Sequence, residues 1–84
     1  MKYKLKYPLA TEKGSRLITS ENKLTFIVDR KMSKAEVKKA VEEQFKVKVL
    51  SVQSMVLDAS NKKVYVKLSM DNPALDVATK LGLL

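Results

Sequence analysis

Lys63, Tyr65 and Lys67 recur at every second residue in the stretch KKVYVKL, interleaved with Val64, Val66 and Leu68. On an extended chain, alternate side chains point the same way and lie roughly 6.6–6.8 Å apart, about the span between successive phosphates of a nucleic-acid strand. Lysines at that spacing attract a phosphate backbone without directional demand. A tyrosine between them can stack on a base or bond a phosphate. Arg30, Lys31 and Lys34 form a second cationic group where a strand passes into a helix, with only Asp29 close enough in sequence to offset it. Lys2, Lys4 and Lys6 form a third stripe, which also reads as protection of a sheet edge. Each group equally fits an ordinary solvated surface, so charge alone does not decide between the two.

Residues for covalent or acid–base chemistry are scarce. The chain contains no Cys and no His. Disulfides, thiolate nucleophiles, Cys/His metal sites and imidazole bases are therefore ruled out. Glu42 and Glu43 are adjacent carboxylates, but Lys38 and Lys39 stand one turn earlier, which reads as a solvated, ion-paired helix face. Asp58 and Asp71 fit a turn and a helix start, and the serines and threonines have no base partner. Gly14 and Gly82 are the only glycines, so no glycine-rich phosphate loop exists. The chain reads as a protein that is not an enzyme and takes no cofactor.

What remains is charge. Seventeen Lys and Arg against nine Asp and Glu give a net +8. A small basic domain attracts polyanions, of which nucleic acid and an anionic membrane surface are the obvious two, although added lysine is also thermophile surface chemistry. No apolar run reaches the roughly 18–20 residues of a spanning helix, so direct membrane insertion is not expected. The opening MKYKLKYP has no apolar h-region and does not read as a secretory signal. The lack of cysteine fits a cytoplasmic setting.

The 84 residues suit one domain, 1–84. Lys4–Tyr7 alternates as a short edge strand that Pro8 ends. Thr11 to about Thr19 reads as a short helix with Thr11 as N-cap, followed by a polar turn over Ser20–Lys23. Leu24–Arg30 is a strand with Leu24, Phe26 and Val28 on one face; Ile27 suggests that the other face is partly covered too. Ser33–Phe45 is a helix opened by a Ser33/Glu36 capping box, with Val37, Ala40 and Val41 on its apolar stripe. Lys46–Asp58 is a long strand whose apolar phase shifts from Val47 and Val49 to Leu50, Val52 and Val56, predicting a bulge near Val49–Leu50. Asp58–Lys62 is turn chemistry. Lys63–Met70 is a strand with Val64, Val66, Leu68 and Met70 inward. Pro73 to Leu81 is a last helix with Asn72 as its N-cap. The order predicts an α+β fold: a split βαβ arrangement in a four-stranded, mostly antiparallel sheet, including the short N-terminal edge strand, packed with helices.

PLATEK (Pro8–Lys13), NKLTFIVDR (Asn22–Arg30), SKAEVKKAVEEQFKVKV (Ser33–Val49) and KKVYVKL (Lys62–Leu68) together resemble the ribosomal protein L-twenty-three family, in a short form that looks archaeal. The likeness runs from about Tyr7 to the C-terminus. It implies a cytoplasmic, ribosome-bound protein that binds large-subunit (23S) rRNA beside the exit of the nascent-chain tunnel. It also implies a neighbouring small helical ribosomal protein, and nascent-chain factors such as the signal recognition particle docking nearby. Glu12 and Lys13 match the family's Glu-Lys pair at the start of the first helix, the glutamate as a docking contact and the lysine as an RNA contact. Val52-Gln53-Ser54 matches a strand motif that usually reads Val-Asn-Thr, so Gln53 and Ser54 join the RNA candidates. The full rRNA-binding set is Lys13, Arg16, Lys23, Arg30, Lys31, Lys34, Gln53, Ser54, Lys62, Lys63, Tyr65 and Lys67. Many relatives carry a long hairpin into the tunnel, whereas the loop here is only Asp58–Lys62. On the residues alone two rivals stay open. A small architectural DNA-binding protein would share the phosphate attraction. An acyl-phosphate hydrolase on the same scaffold would need an arginine in an anion-binding loop, and neither Arg16 nor Arg30 sits in a glycine-rich cradle.

Overall fold

Ser33 shows how local chemistry opens the longest helix. Its hydroxyl accepts the Glu36 N–H at 3.2 Å, and the Glu36 carboxylate accepts the Ser33 N–H at 2.8 Å. This reciprocal pair satisfies two donors that a bare helix end leaves orphaned. The helix, α1, runs Lys34–Phe45 and buries Val37, Ala40 and Val41. Lys46 stops it in the left-handed conformation (φ 58°), its N–H bonded to the Glu42 carbonyl.

The computed structural model describes Leu5, Tyr7, Pro8, Arg16, Ile18 and residues 20–82. Three full strands, β2 (Lys23–Asp29), β3 (Val49–Val56) and β4 (Asn61–Leu68), form an open antiparallel sheet, and α2 (Ala74–Lys80) follows. The two-residue β1, Tyr7–Pro8, pairs antiparallel with Ile27 and Phe26 on the outer side of β2. The sheet order is β1-β2-β4-β3, so β4 is central and antiparallel to both β2 and β3. The protein is thus α+β, with α1 and α2 packed on one face of the sheet. The core there combines Leu24, Phe26 and Val28 of β2 and Val64, Val66 and Leu68 of β4 with the buried stripes of both helices. Phe26 and Phe45 stack with centroids 6.0 Å apart.

Several expectations are revised by contacts distant in sequence. Leu5 is not in a strand, and Pro8 pairs within β1 where it was expected to end it; the rest of that N-terminal stretch lies outside the described residues. So does most of the helix expected over Thr11–Thr19, although Arg16, Ile18 and Ser20 are helical and Ser20 Oγ bonds the Arg16 carbonyl at 2.7 Å. The predicted bulge is present as a register shift between Val49 and Ser51. The apolar phase beyond it does not bury as expected, because Leu50 and Val56 are each 54% exposed. Met70 lies past the end of β4 and is 84% exposed, not inward. Glu42 is not simply a solvated ion-pair partner: its Oε2 accepts the Val49 N–H at 3.0 Å and ties the end of α1 to the start of β3. Asn72 does not cap α2. Its Oδ1 accepts the Lys48 N–H at 2.9 Å, Pro73 occupies the cap position, and the Ala74 N–H goes to Asn22 Oδ1.

Candidate nucleic-acid interface

α1 and α2 pack on one face of the sheet, and strand alternation sends every second side chain to the other. On β4 these are Lys63, Tyr65 and Lys67. The register sets Tyr65 between Thr25 of β2 and Gln53 of β3, Lys63 between Ile27 and Met55, and Lys67 between Lys23 and Ser51. The face is therefore a small grid, with a tyrosine at its centre and lysines in the rows on either side.

The electrostatics of this grid are unusual for an ordinary sheet face. Lys23 and Lys67 stand directly opposite one another across β2 and β4, an arrangement that like-charge repulsion disfavours. Glu21 relieves part of it, with Oε1 3.1 Å from the Lys23 ammonium. Lys67 is exposed, and Lys63 places its ammonium 5.6 Å from the centroid of the Tyr65 ring, where the ring's negative face attracts it. On the β2 side of this same face Thr25 and Ile27 are buried, at 5% and 2% exposed, so the solvent-facing part of the grid lies toward β3. Among the described residues Thr25 Oγ1 is buried without a hydrogen-bond partner.

Arg30 and Lys31 occupy the exposed turn between β2 and α1, and Lys34, also exposed, is the first residue of α1. Asp29 Oδ1 accepts the Lys31 N–H at 2.9 Å, and the Arg30 N–H bonds the Ser60 carbonyl at 3.1 Å. The turn is thereby fastened to the β3–β4 hairpin, at the end of the sheet where Asp29 pairs with Asn61. The turn lies at the end of the sheet, past the row that holds Lys63.

Other candidates fall elsewhere. Lys62 is opposite Val28 and Val56, on the helix side of the sheet, and its ammonium bonds the Met32 carbonyl. Ser54 pairs with Val64 and is likewise on the helix side, although exposed. Arg16 is exposed in the N-terminal helical segment. Glu12, Lys13, Lys2, Lys4 and Lys6 lie outside the described residues. Ser51 and Met55 share the grid and were passed over in the sequence, yet the bulge is the signal that places them: after it, Ser51, Gln53 and Met55 fall in phase. Among the described residues no cluster of His, Cys, Asp or Glu could hold a metal ion, and no helix is long and apolar enough to cross a membrane.

An antiparallel sheet with α1 and α2 on one side and a lysine-framed tyrosine on the other defines a small basic α+β module with a cation-bearing sheet face. The sequence profile described as Ribosomal protein L23 matches residues 4–75, and the chain belongs to that family. A relative, the large ribosomal subunit protein uL23 of Trypanosoma brucei brucei, is 42% identical over 79 residues, covering 94% of this chain and 48% of the relative. The chain spans about half the length of that relative.

Proposed function

We propose that this protein is a structural, non-enzymatic constituent of the large ribosomal subunit in the cytoplasm. It binds large-subunit rRNA through the outward sheet face and the adjoining β2–α1 turn, near the polypeptide exit tunnel. The observation that carries this reading is the row Lys63–Tyr65–Lys67 facing away from the helices, with Lys23 and Gln53 alongside it. Family membership supplies the ribosomal context. Lysines offer charge to phosphates and the tyrosine offers a stacking surface, a combination that suits RNA with accessible bases.

Within this reading β2 and β3 run the same way on either side of β4 and are joined through α1, which we interpret as the split βαβ arrangement. A neighbouring small helical ribosomal protein is a further expected partner. Glu12 is read as a contact for the signal recognition particle or another nascent-chain factor, since a carboxylate among RNA phosphates favours a basic partner.

Co-sedimentation tests the reading. Tagged protein should pellet with large subunits at low salt and be displaced by free large-subunit rRNA better than by duplex DNA at matched salt. Equal displacement by both would favour an architectural DNA-binding protein, and failure to pellet would end the ribosomal assignment.

A further inference from the structure

Among the described residues the strand order leaves β3 at the free edge of the sheet, paired only with β4. Its eight residues, VLSVQSMV, contain no charge and no proline, in a chain whose residues are 31% charged. Edges are normally blunted by lysine, proline or a covering segment, because their unpaired N–H and C=O groups template further pairing. Glu42 closes the first position by taking the Val49 N–H. From Leu50 to Val56, no side chain among the described residues bonds the strand backbone.

The side chains along this edge are apolar where they should be wet. Leu50, Met55, Val56 and Leu57 are between 47% and 54% exposed. Met55 points to the tyrosine face and Val56 to the helix face, so a chain laid along the edge meets apolar contact on both sides at the hairpin end.

The chemistry selects the occupant. A nucleic acid has no alternating ladder of N–H and C=O groups and finds no cation on this strand. A second copy would bring +8 against +8. We propose that the free edge of β3 accepts an extended polypeptide segment by strand addition, apolar beside Met55 and Val56 and neutral to acidic overall. Main-chain hydrogen bonds would supply affinity and the side-chain contacts register.

The test uses the full chain, labelled for NMR, with an eight-residue probe of alternating valine and threonine bearing a glutamate at each end. Binding should shift and protect backbone amides of Leu50–Val56. Methylating alternate amide nitrogens of the probe should weaken it at least about tenfold, because the ladder supplies the affinity. Val56→Lys, at an exposed position on the helix face, should weaken it similarly while leaving rRNA binding on the tyrosine face intact, which separates this proposal from the ribosomal reading. No binding, or equal binding of the methylated probe to the unaltered chain, overturns the proposal whatever the lysine variant does to folding. Protection of the same amides by rRNA, or by self-association seen in sedimentation, also overturns it, in favour of those occupants.

Discussion

Tyr65 is flanked by lysines along its own strand and by Thr25 and Gln53 across it, so its removal separates binding from folding. Tyr65→Ala should cost about 1–3 kcal/mol of rRNA affinity where a base stacks on it. Lys63→Ala and Lys67→Ala should each cost less, and none should move the melting temperature much, because outward residues add little to the core. Parallel losses of melting temperature and affinity in all three would mark the row as structural. Asn22 predicts the reverse pattern. It sits at φ 55°, donates to the Leu68, Ser69 and Asn72 carbonyls at 3.1–3.2 Å, and accepts the Ala74 N–H. Asn22→Ala should lower stability by about 1–3 kcal/mol by leaving part-buried partners unpaired, read from a denaturant midpoint, with rRNA affinity of the folded protein unchanged. Thr25→Val removes a buried hydroxyl that has no partner among the described residues, and should hold or raise the same midpoint. Alternation exposed Lys63, Tyr65 and Lys67 in the sequence. It equally places Lys62 one residue out of phase, on the helix side, where its ammonium meets the Met32 carbonyl, so a contiguous run of lysines was a poorer guide than strict spacing.

Among the elements, α1 was the most legible because both halves of its capping box lie within four residues of each other. Ser33→Ala should cost about 1 kcal/mol, measured as a shift in thermal midpoint at constant buffer. The bulge was legible for a similar reason, since a one-residue slip of apolar phase is written along the strand itself. The cap of α2 was not. The Asn72-Pro73 pair has the form of a helix start, but Asn22, fifty-two residues before Ala74, takes the orphan N–H and leaves Asn72 to hold Lys48. Glu42 was misread by the same logic: its lysine at i−4 is visible in sequence, whereas its bond to Val49 requires the chain to turn back at Lys46. The exposure of Leu50, Val56 and Met70 had no local signal either, because burial depends on what covers a strand. At this scale the sequence determines element identity and phase, and tertiary contacts determine caps, ends and coverage.

At the scale of the whole molecule, α1 and α2 on one side of the sheet leave the other side to carry a share of the net +8, and the uncharged strand β3 borders it. The basic segment Arg30–Lys34, pinned to the hairpin through Ser60, offers further cations at that end of the sheet. If these groups meet phosphates, counterion release governs affinity, and about 5–8 contacts should give a slope of roughly −4 to −7 in log K against log salt. The most direct measurement is this slope for a large-subunit rRNA fragment, taken for the unaltered chain and for the variant Lys23→Ala/Lys63→Ala/Lys67→Ala. The unaltered chain should give a steep slope that becomes shallower by about 2–3 in the variant, at roughly 0.7–0.9 per lost phosphate contact. A slope near zero, or one that the three substitutions leave unchanged, would contradict the assignment of rRNA to the lysine-framed sheet face.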